Sequence, residues 1–339
     1  MHDATAQPIE VRLTRGDNLV TLQSHILAEE TKHPGASGTF SWILSALSIS
    51  AKMISARMRR ARLVDVLGAL DSENVQGETQ QKLDVIANEI LLRNLGAREG
   101  VAIVASEESE QPVFLRTQDT GERRYVVLFD PLDGSSNLDV AGGVGTIFSI
   151  LRHDRRVEDP TDSVLQAGTE QVAAGYVLYG SSTVFVLTTG NGVRMFVLDP
   201  TIGAFLLVED DVRIPRAAKT YSLNEGHRKS FPAGYQRYLD WAQSNGYSSR
   251  YAGAMVADVH RTLLKGGVFL YPPTAKAPEG KLRLLYEANP MALIVEQAGG
   301  RACAGRGRLL EVRPTDVHQR TPVVLGSADE VGHVLAHLD

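Results

Sequence analysis

The sequence predicts an α/β protein of two layered units, on three observations. Apolar residues recur at helical spacing through the first third of the chain, then gather into short strand-length runs beyond residue 100. Thr189-Gly190-Asn191-Gly192 joins two of those runs with the chemistry of a hairpin turn. Beyond a linker at 215–219, helical and strand patterns mix again. The boundary set by that linker divides the chain into units of 1–214 and 215–339, which suits a length of 339 residues.

In order, the pattern predicts helices over 19–30 and 39–70, the second following the breaker His33-Pro34-Gly35. A third over 80–94 places Leu83, Ile86, Ile90 and Leu91 on one face, with Gly96 as its stop. Strands are predicted at 101–105, 125–129, 146–151, 176–179, 183–188, 194–198 and 204–208. Helices at 233–243 and 255–264, a strand at 268–271 and a helix at 290–297 follow. A strand at 322–326 and a terminal helix complete the chain.

Composition narrows the function classes. With 43% hydrophobic and 22% charged residues the chain is neither collagen-like nor largely disordered. No uninterrupted apolar run approaches the ~18 residues of a membrane helix; the best candidate, 42–54, is short, serine-rich and carries Lys52. Asp3, Glu10, Arg12 and Arg15 crowd a start without a secretory apolar core, so a cytoplasmic protein is expected. The lone Cys303 excludes an internal disulfide and a cysteine zinc cage. Forty acidic against 35 basic residues, a net charge of −5, give no reason to expect nucleic acid or an anionic membrane as partner. The one basic run, Arg57-Met58-Arg59-Arg60-Ala61-Arg62, reads as a solvated helix face, or as an anion or subunit contact.

Chemistry concentrates in Phe129-Asp130-Pro131-Leu132-Asp133-Gly134-Ser135-Ser136-Asn137, read as a buried strand entering a tight turn. Two carboxylates and the Leu132 carbonyl can converge there on a hard divalent cation, and the glycine and serine amides can receive phosphate. Taken alone, the segment also reads as a simple strand-to-turn connection. Upstream, Glu107 and Glu108 follow a strand and are expected on opposite faces, with different tasks. Downstream, Glu287 precedes a helix for which Asn289 is the expected N-cap and Pro290 the first residue. Three acidic clusters at element ends suggest a multinuclear metal site.

Asp130-Pro131-Leu132-Asp133-Gly134-Ser135-Ser136-Asn137, Ser222-Leu223-Asn224-Glu225-Gly226, Met255-Val256-Ala257-Asp258-Val259-His260-Arg261 and Lys281-Leu282-Arg283-Leu284-Leu285-Tyr286-Glu287 closely resemble the class I fructose-1,6-bisphosphatase family. The resemblance runs from about Thr39 to the C-terminus, in the family's order. It implies the α/β, layered α-β-α-β-α sandwich of the sugar-phosphatase, inositol-monophosphatase-like superfamily. It also implies two or three Mg²⁺ ions, with Mn²⁺ or Zn²⁺ as alternatives, a sugar bisphosphate substrate and a homotetramer.

The implied metal ligands are Glu107, Asp130, the Leu132 carbonyl, Asp133 and Glu287. Glu78 would join them where many relatives have Asp. Asp84 and Glu108 match the pair that activates water. The 1-phosphate would also meet Gly134, Ser135 and Ser136, while Asn224, Tyr251 and Tyr271 match the holders of the 6-phosphate. Arg250 matches an arginine that reaches across from a neighbouring subunit, and Lys281 a contact to the sugar. His227 departs from the family's usual tyrosine. A family AMP site would fall on Ser37, Gly38 and Ser41 at a helix start, with Arg124, Tyr125 and Arg152. The two middle residues of that segment differ from the family pattern.

The demands of the reaction agree with a metal site. Enzymes accelerate phosphate-monoester hydrolysis by up to ~10²¹-fold, whereas general acid–base help supplies ~10²–10⁴; metals can supply far more of the difference. The expected mechanism is metal-assisted in-line attack of water on the 1-phosphate, without a phosphoenzyme. The chain lacks a P-loop, a His-Glu-x-x-His and a Gly-x-Ser-x-Gly motif. Gly142-Gly143-Val144-Gly145 lacks dinucleotide spacing, and His333 with His337 reads as a surface pair. Sedoheptulose 1,7-bisphosphate remains an alternative substrate; the second-phosphate residues argue against inositol monophosphate. A catalytically inactive regulatory homologue is opposed by the complete acidic set.

Overall fold

The computed structural model describes residues 19–31, 38–63, 69–73, 79–115, 125–154, 156–157 and 159–338. A large sheet organises the first two-thirds of the chain. Its eight strands run, edge to edge, Ala204–Glu209, Val193–Asp199, Thr183–Thr188, Gln171–Tyr179, Val144–Arg152, Tyr125–Asp133, Val101–Ser106 and Val113–Phe114. Every pairing is antiparallel except that of Val101–Ser106 with Tyr125–Asp133.

The alternation of side chains along these strands builds two cores at once. Phe148, Ile150 and Val177 point to one face, where they meet helices α1 (Leu22–Glu30), α2 (Thr39–Met58) and α3 (Lys82–Gly96). Ile147, Tyr176 and Val186 point to the other, where helices α5 (Met255–Lys265) and α6 (Asn289–Gln297) cover them. Those two helices also pack on Phe269, Val323 and Leu325 of a second, six-stranded sheet. That sheet's far face, through Val268, Leu270 and Val324, is covered by helices α4 (Ala233–Ser244) and α7 (Ala328–His337). The result is the expected α-β-α-β-α layering.

Several local expectations are corrected. The helix expected over 39–70 ends at Met58, and residues 69–73 form a strand instead. The stripe that buries α2 (Ile43, Leu44, Leu47, Ala51, Ile54) has no successor, because Arg57, Arg59 and Arg60 are exposed, and packing rather than propensity sustains a helix. By length and composition α2 could cross a membrane, yet half of its apolar window is buried inside the protein, as befits a core helix.

The strand expected to stop at Phe129 continues to Asp133, so the acidic motif lies within the strand. Asp130 pairs with Ile147 and Asp133 with Gly145: three steps on one strand oppose two on the other. This is a β-bulge at Pro131-Leu132, where a residue without an N–H costs the ladder nothing. Residues three apart would ordinarily face opposite sides; the extra residue restores the parity that brings both carboxylates together.

Candidate functional site

The acidic floor of the site is assembled from three directions. The bulged strand delivers Asp130 and Asp133, the Oδ1 of Asp130 accepting the Leu132 N–H at 2.8 Å. The strand Val101–Ser106 ends before Glu107 and Glu108, so the expected opposite-face arrangement is replaced by a turn from which both line one cleft. Glu287 sits in a π-helical turn, Leu284–Ala288, that runs straight into α6. Asn289 is therefore already helical and Pro290 lies in the first turn; the N-cap is Ala288, not the expected Asn289. A continuous entry leaves no break for a capping side chain to seal. Single π turns often occur at functional sites.

Two glycines make this convergence sterically feasible. Gly134 adopts φ +77, and a Cβ there would lie 2.2 Å from the Ala254 Cβ. At Gly145, opposite Asp133, a Cβ would fall 2.3 Å from the Val177 carbonyl oxygen and under 3 Å from Val256. Their bareness lets α5 start directly over the acidic strand. The Val256 N–H donates to the Asp133 Oδ2 at 2.7 Å.

Among the described residues, Asp130, Asp133 and Glu287 form a buried group whose ligand oxygens all lie within 4.8 Å of one another. Burial, then the charges of Glu107, Asp133 and Glu287, holds the Asp130 carboxyl well above its ordinary range. Burial, reinforced by Glu107 and Asp258 and partly offset by the Val256 N–H, pushes Asp133 up to about 7. Among the described residues, the surrounding cleft, about 490 Å³, is lined by Asp84, Glu107, Glu108, Asp130, Asp133, Asp258 and Glu287 against only Lys281 and Arg283 as cations. Such an excess of negative charge repels a phosphate and calls for bound cations. The all-oxygen, carboxylate-rich donor set fits Mg²⁺ or another hard divalent ion.

The remaining expected residues divide into those lining the cleft and those flanking it. Asp84 is buried near the start of α3, its Oδ2 accepting the Gln81 N–H at 3.0 Å. Leu132, Gly134, Ser135, Ser136, Tyr251, Tyr271 and Lys281 also line the cleft. Asn224 does not line it; its Oδ1 accepts the Gly226 N–H at 3.1 Å, capping the short turn Glu225–Ser230. His227 is exposed in the short turn Glu225–Ser230. Arg250 is exposed, its guanidinium donating to the Ser249 carbonyl at 2.7 Å. Glu78 lies outside the described residues.

At the start of α2, Gly38 takes φ 72 and the Ser41 hydroxyl donates to the Glu30 carboxylate. The Phe40 ring lies 5.8 Å from that of Tyr125, over which the Arg152 guanidinium stands at 5.9 Å. Gly38, Ser41, Tyr125 and Arg152 thus share a neighbourhood; Ser37 and Arg124 lie outside the described residues.

Sequence reasoning missed two residues. Arg283, 2% exposed, places its Nη2 at 3.3 Å from the Glu107 Oε1, while its backbone N–H donates to Glu287. Asp258, buried in the first turn of α5, also lines the cleft. Each is a charge within an apolar run, Leu282-Arg283-Leu284 and Val256-Ala257-Asp258-Val259, and that intrusion was the available signal.

An α/β layered fold with a buried carboxylate cleft beside a glycine-serine turn defines a phosphatase. The particular family follows from the comparisons. Residues 20–210 match the family model of the fructose-1,6-bisphosphatase N-terminal domain, and 214–339 that of its C-terminal domain. The chain belongs to the fructose-1,6-bisphosphatase family. It is 50% identical over 324 residues to the class 1 fructose-1,6-bisphosphatase of Chlorobium chlorochromatii, covering 93% of this chain and 96% of that one. To the class 1 enzyme of Persephonella marina it is 51% identical over 315 residues, covering 93% and 97%. The crystal structure of Leishmania major fructose-1,6-bisphosphatase in holo form superposes with a TM-score of 0.89 at 42% identity, covering 94% and 98%.

Proposed function

We propose that this chain hydrolyses the 1-phosphate of fructose 1,6-bisphosphate, giving fructose 6-phosphate and phosphate. The convergence of Asp130, Asp133 and Glu287 within 4.8 Å beside the Gly134–Ser136 turn is the observation that carries the reading. Those three carboxylates, the Leu132 carbonyl and Glu107 would hold two or three Mg²⁺ ions. Bound divalent cations neutralise phosphoryl oxygens, ease deprotonation of water and stabilise the leaving alkoxide. Asp84 and Glu108 orient the attacking water and take its proton. The Gly134–Ser136 turn holds the departing phosphate, Lys281 the sugar, and Asn224, His227, Tyr251 and Tyr271 the second phosphate. Arg250 serves a neighbouring subunit of a homotetramer, which accounts for its exposure.

The reading extends to a cytoplasmic enzyme of gluconeogenic or Calvin-cycle carbon flow, built as units of 1–214 and 215–339. An AMP-like effector at the start of α2 would have to displace the Glu30 carboxylate from Ser41. Sedoheptulose 1,7-bisphosphate is the alternative substrate, because the rim holds a second phosphate without measuring sugar length.

Phosphate release with Mg²⁺ tests the proposal, comparing fructose 1,6-bisphosphate with sedoheptulose 1,7-bisphosphate, fructose 6-phosphate and inositol 1-phosphate, each beside an EDTA control. Metal-dependent release of one phosphate from fructose 1,6-bisphosphate, with both monophosphates inert, is expected. No release from folded, metal-loaded protein would sink it.

A further inference from the structure

We propose that Asp258 is a positioning residue for the second phosphate, fixing the strap of residues 251–254 that carries Tyr251. The inference rests on the function proposed above and goes beyond it. Tyr251 is 40% exposed, Ala252 is exposed, and Gly253 sits at φ +83. Packing holds the strap only at its Ala254 end, so hydrogen bonds must fix the exposed Tyr251-Ala252 end. Asp258 provides two of them: Oδ1 accepts the Ala252 N–H at 2.8 Å and Oδ2 the Gly253 N–H at 3.1 Å. From the opposite side the Asn137 side chain donates to the Ala252 carbonyl at 3.1 Å. The Tyr251 side chain so placed lines the cleft together with the Gly134–Ser136 turn and Lys281.

The charge makes Asp258 more than a convenient cap. It is 3% exposed and faces the acidic floor, where its field acts on Asp133. A buried carboxylate beside another is unfavourable, and a neutral amide would avoid the repulsion. An asparagine, however, offers one acceptor oxygen where the strap presents two N–H donors. The two acids divide the backbone donors around the start of α5: Asp133 takes Val256, and Asp258 takes Ala252 and Gly253. One acid anchors the helix over the floor, and the other anchors the strap that leads to the rim.

The test measures Asp258→Asn on fructose 1,6-bisphosphate and on fructose 1-phosphate, which lacks the second phosphate. Losing one charge-assisted hydrogen bond predicts a KM for the bisphosphate raised about 10- to 100-fold, with a much smaller fall in kcat. KM for fructose 1-phosphate should change less than about twofold. In a Tyr251→Phe background, adding Asp258→Asn should raise KM less than about threefold further, since both changes act through one contact. Asn137→Ala, which frees the strap from its other side, should give a milder, equally substrate-selective rise and carries the test if Asp258→Asn does not fold.

An unchanged KM for the bisphosphate, or an equal loss on both substrates, overturns the inference while leaving an active wild type to support the function. A wild type that does not hydrolyse the bisphosphate overturns both.

Discussion

The floor and the rim of this cleft are built on opposite principles. Floor carboxylates are buried or half-buried and delivered by a bulged strand, a turn beside it and a π-helical turn, so their positions are fixed by backbone and their charges strain against one another. Rim groups such as His227, Arg250 and Tyr251 are exposed, sit on short turns, and are placed by backbone hydrogen bonds rather than by burial. The floor should therefore govern chemistry and tolerate almost no change. The rim should govern affinity and tolerate revision, as the histidine at 227 suggests.

The largest expected effect comes from the floor. Asp130→Asn should lower kcat by ~10²–10³-fold, the scale for losing one electrostatic stabiliser of a transition state. Because it removes one of several mutually repelling buried acids, it should leave the melting temperature in EDTA unchanged or higher. A steady-state assay and a thermal melt on the same sample check both halves. A lower melting temperature would mean that the floor is not strained.

Arg283→Met should act in the other sense. It leaves Glu107 without its buried guanidinium and should destabilise the metal-free protein by about 3 kcal/mol, as breaking buried ion pairs does. Denaturant melts in EDTA would read it. On the rim, Tyr251→Phe should raise KM about tenfold with little change in kcat, the effect of one lost hydrogen bond. A fall in kcat instead would blur the division between the regions.

The floor also predicts a pH dependence. The folded-state pKa of Asp133 is about 7, against an ordinary 3.8, so between those values the folded chain holds a proton that the unfolded chain has lost. Stability of the metal-free protein should fall as pH rises through that window, by up to ~1.4 kcal/mol per pH unit for one group. Cation binding needs the deprotonated acid, so Mg²⁺ should raise the melting temperature more at about pH 8 than at about pH 5.5. Equal shifts would contradict a floor whose acids compete for protons and metal.

The same contrast governs what could be read from the chain. The layering was legible because strand alternation and helical spacing are written in apolar residues, as at Ile147 and Phe148. The floor's acids were legible because Asp130 and Asp133 share one short motif while Glu107 and Glu287 stand at element ends. The bulge that aligns them was not, since it emerges only when the partner strand sets the register. Nor was the π turn at Glu287, which depends on α6 docking between the sheets. Rim residues on loops carry no periodic signal and were reached only through family resemblance. Asp258 and Arg283 were visible as charges inside apolar runs, but the runs themselves did not say which partners would meet them.

Phosphorus NMR of the sugar product formed from fructose 1,6-bisphosphate with Mg²⁺ tests the central claim most directly. If the floor cleaves and the rim only holds, the product is fructose 6-phosphate, and none forms in EDTA. Fructose 1-phosphate as the product would mean that the two regions have been assigned the wrong way round.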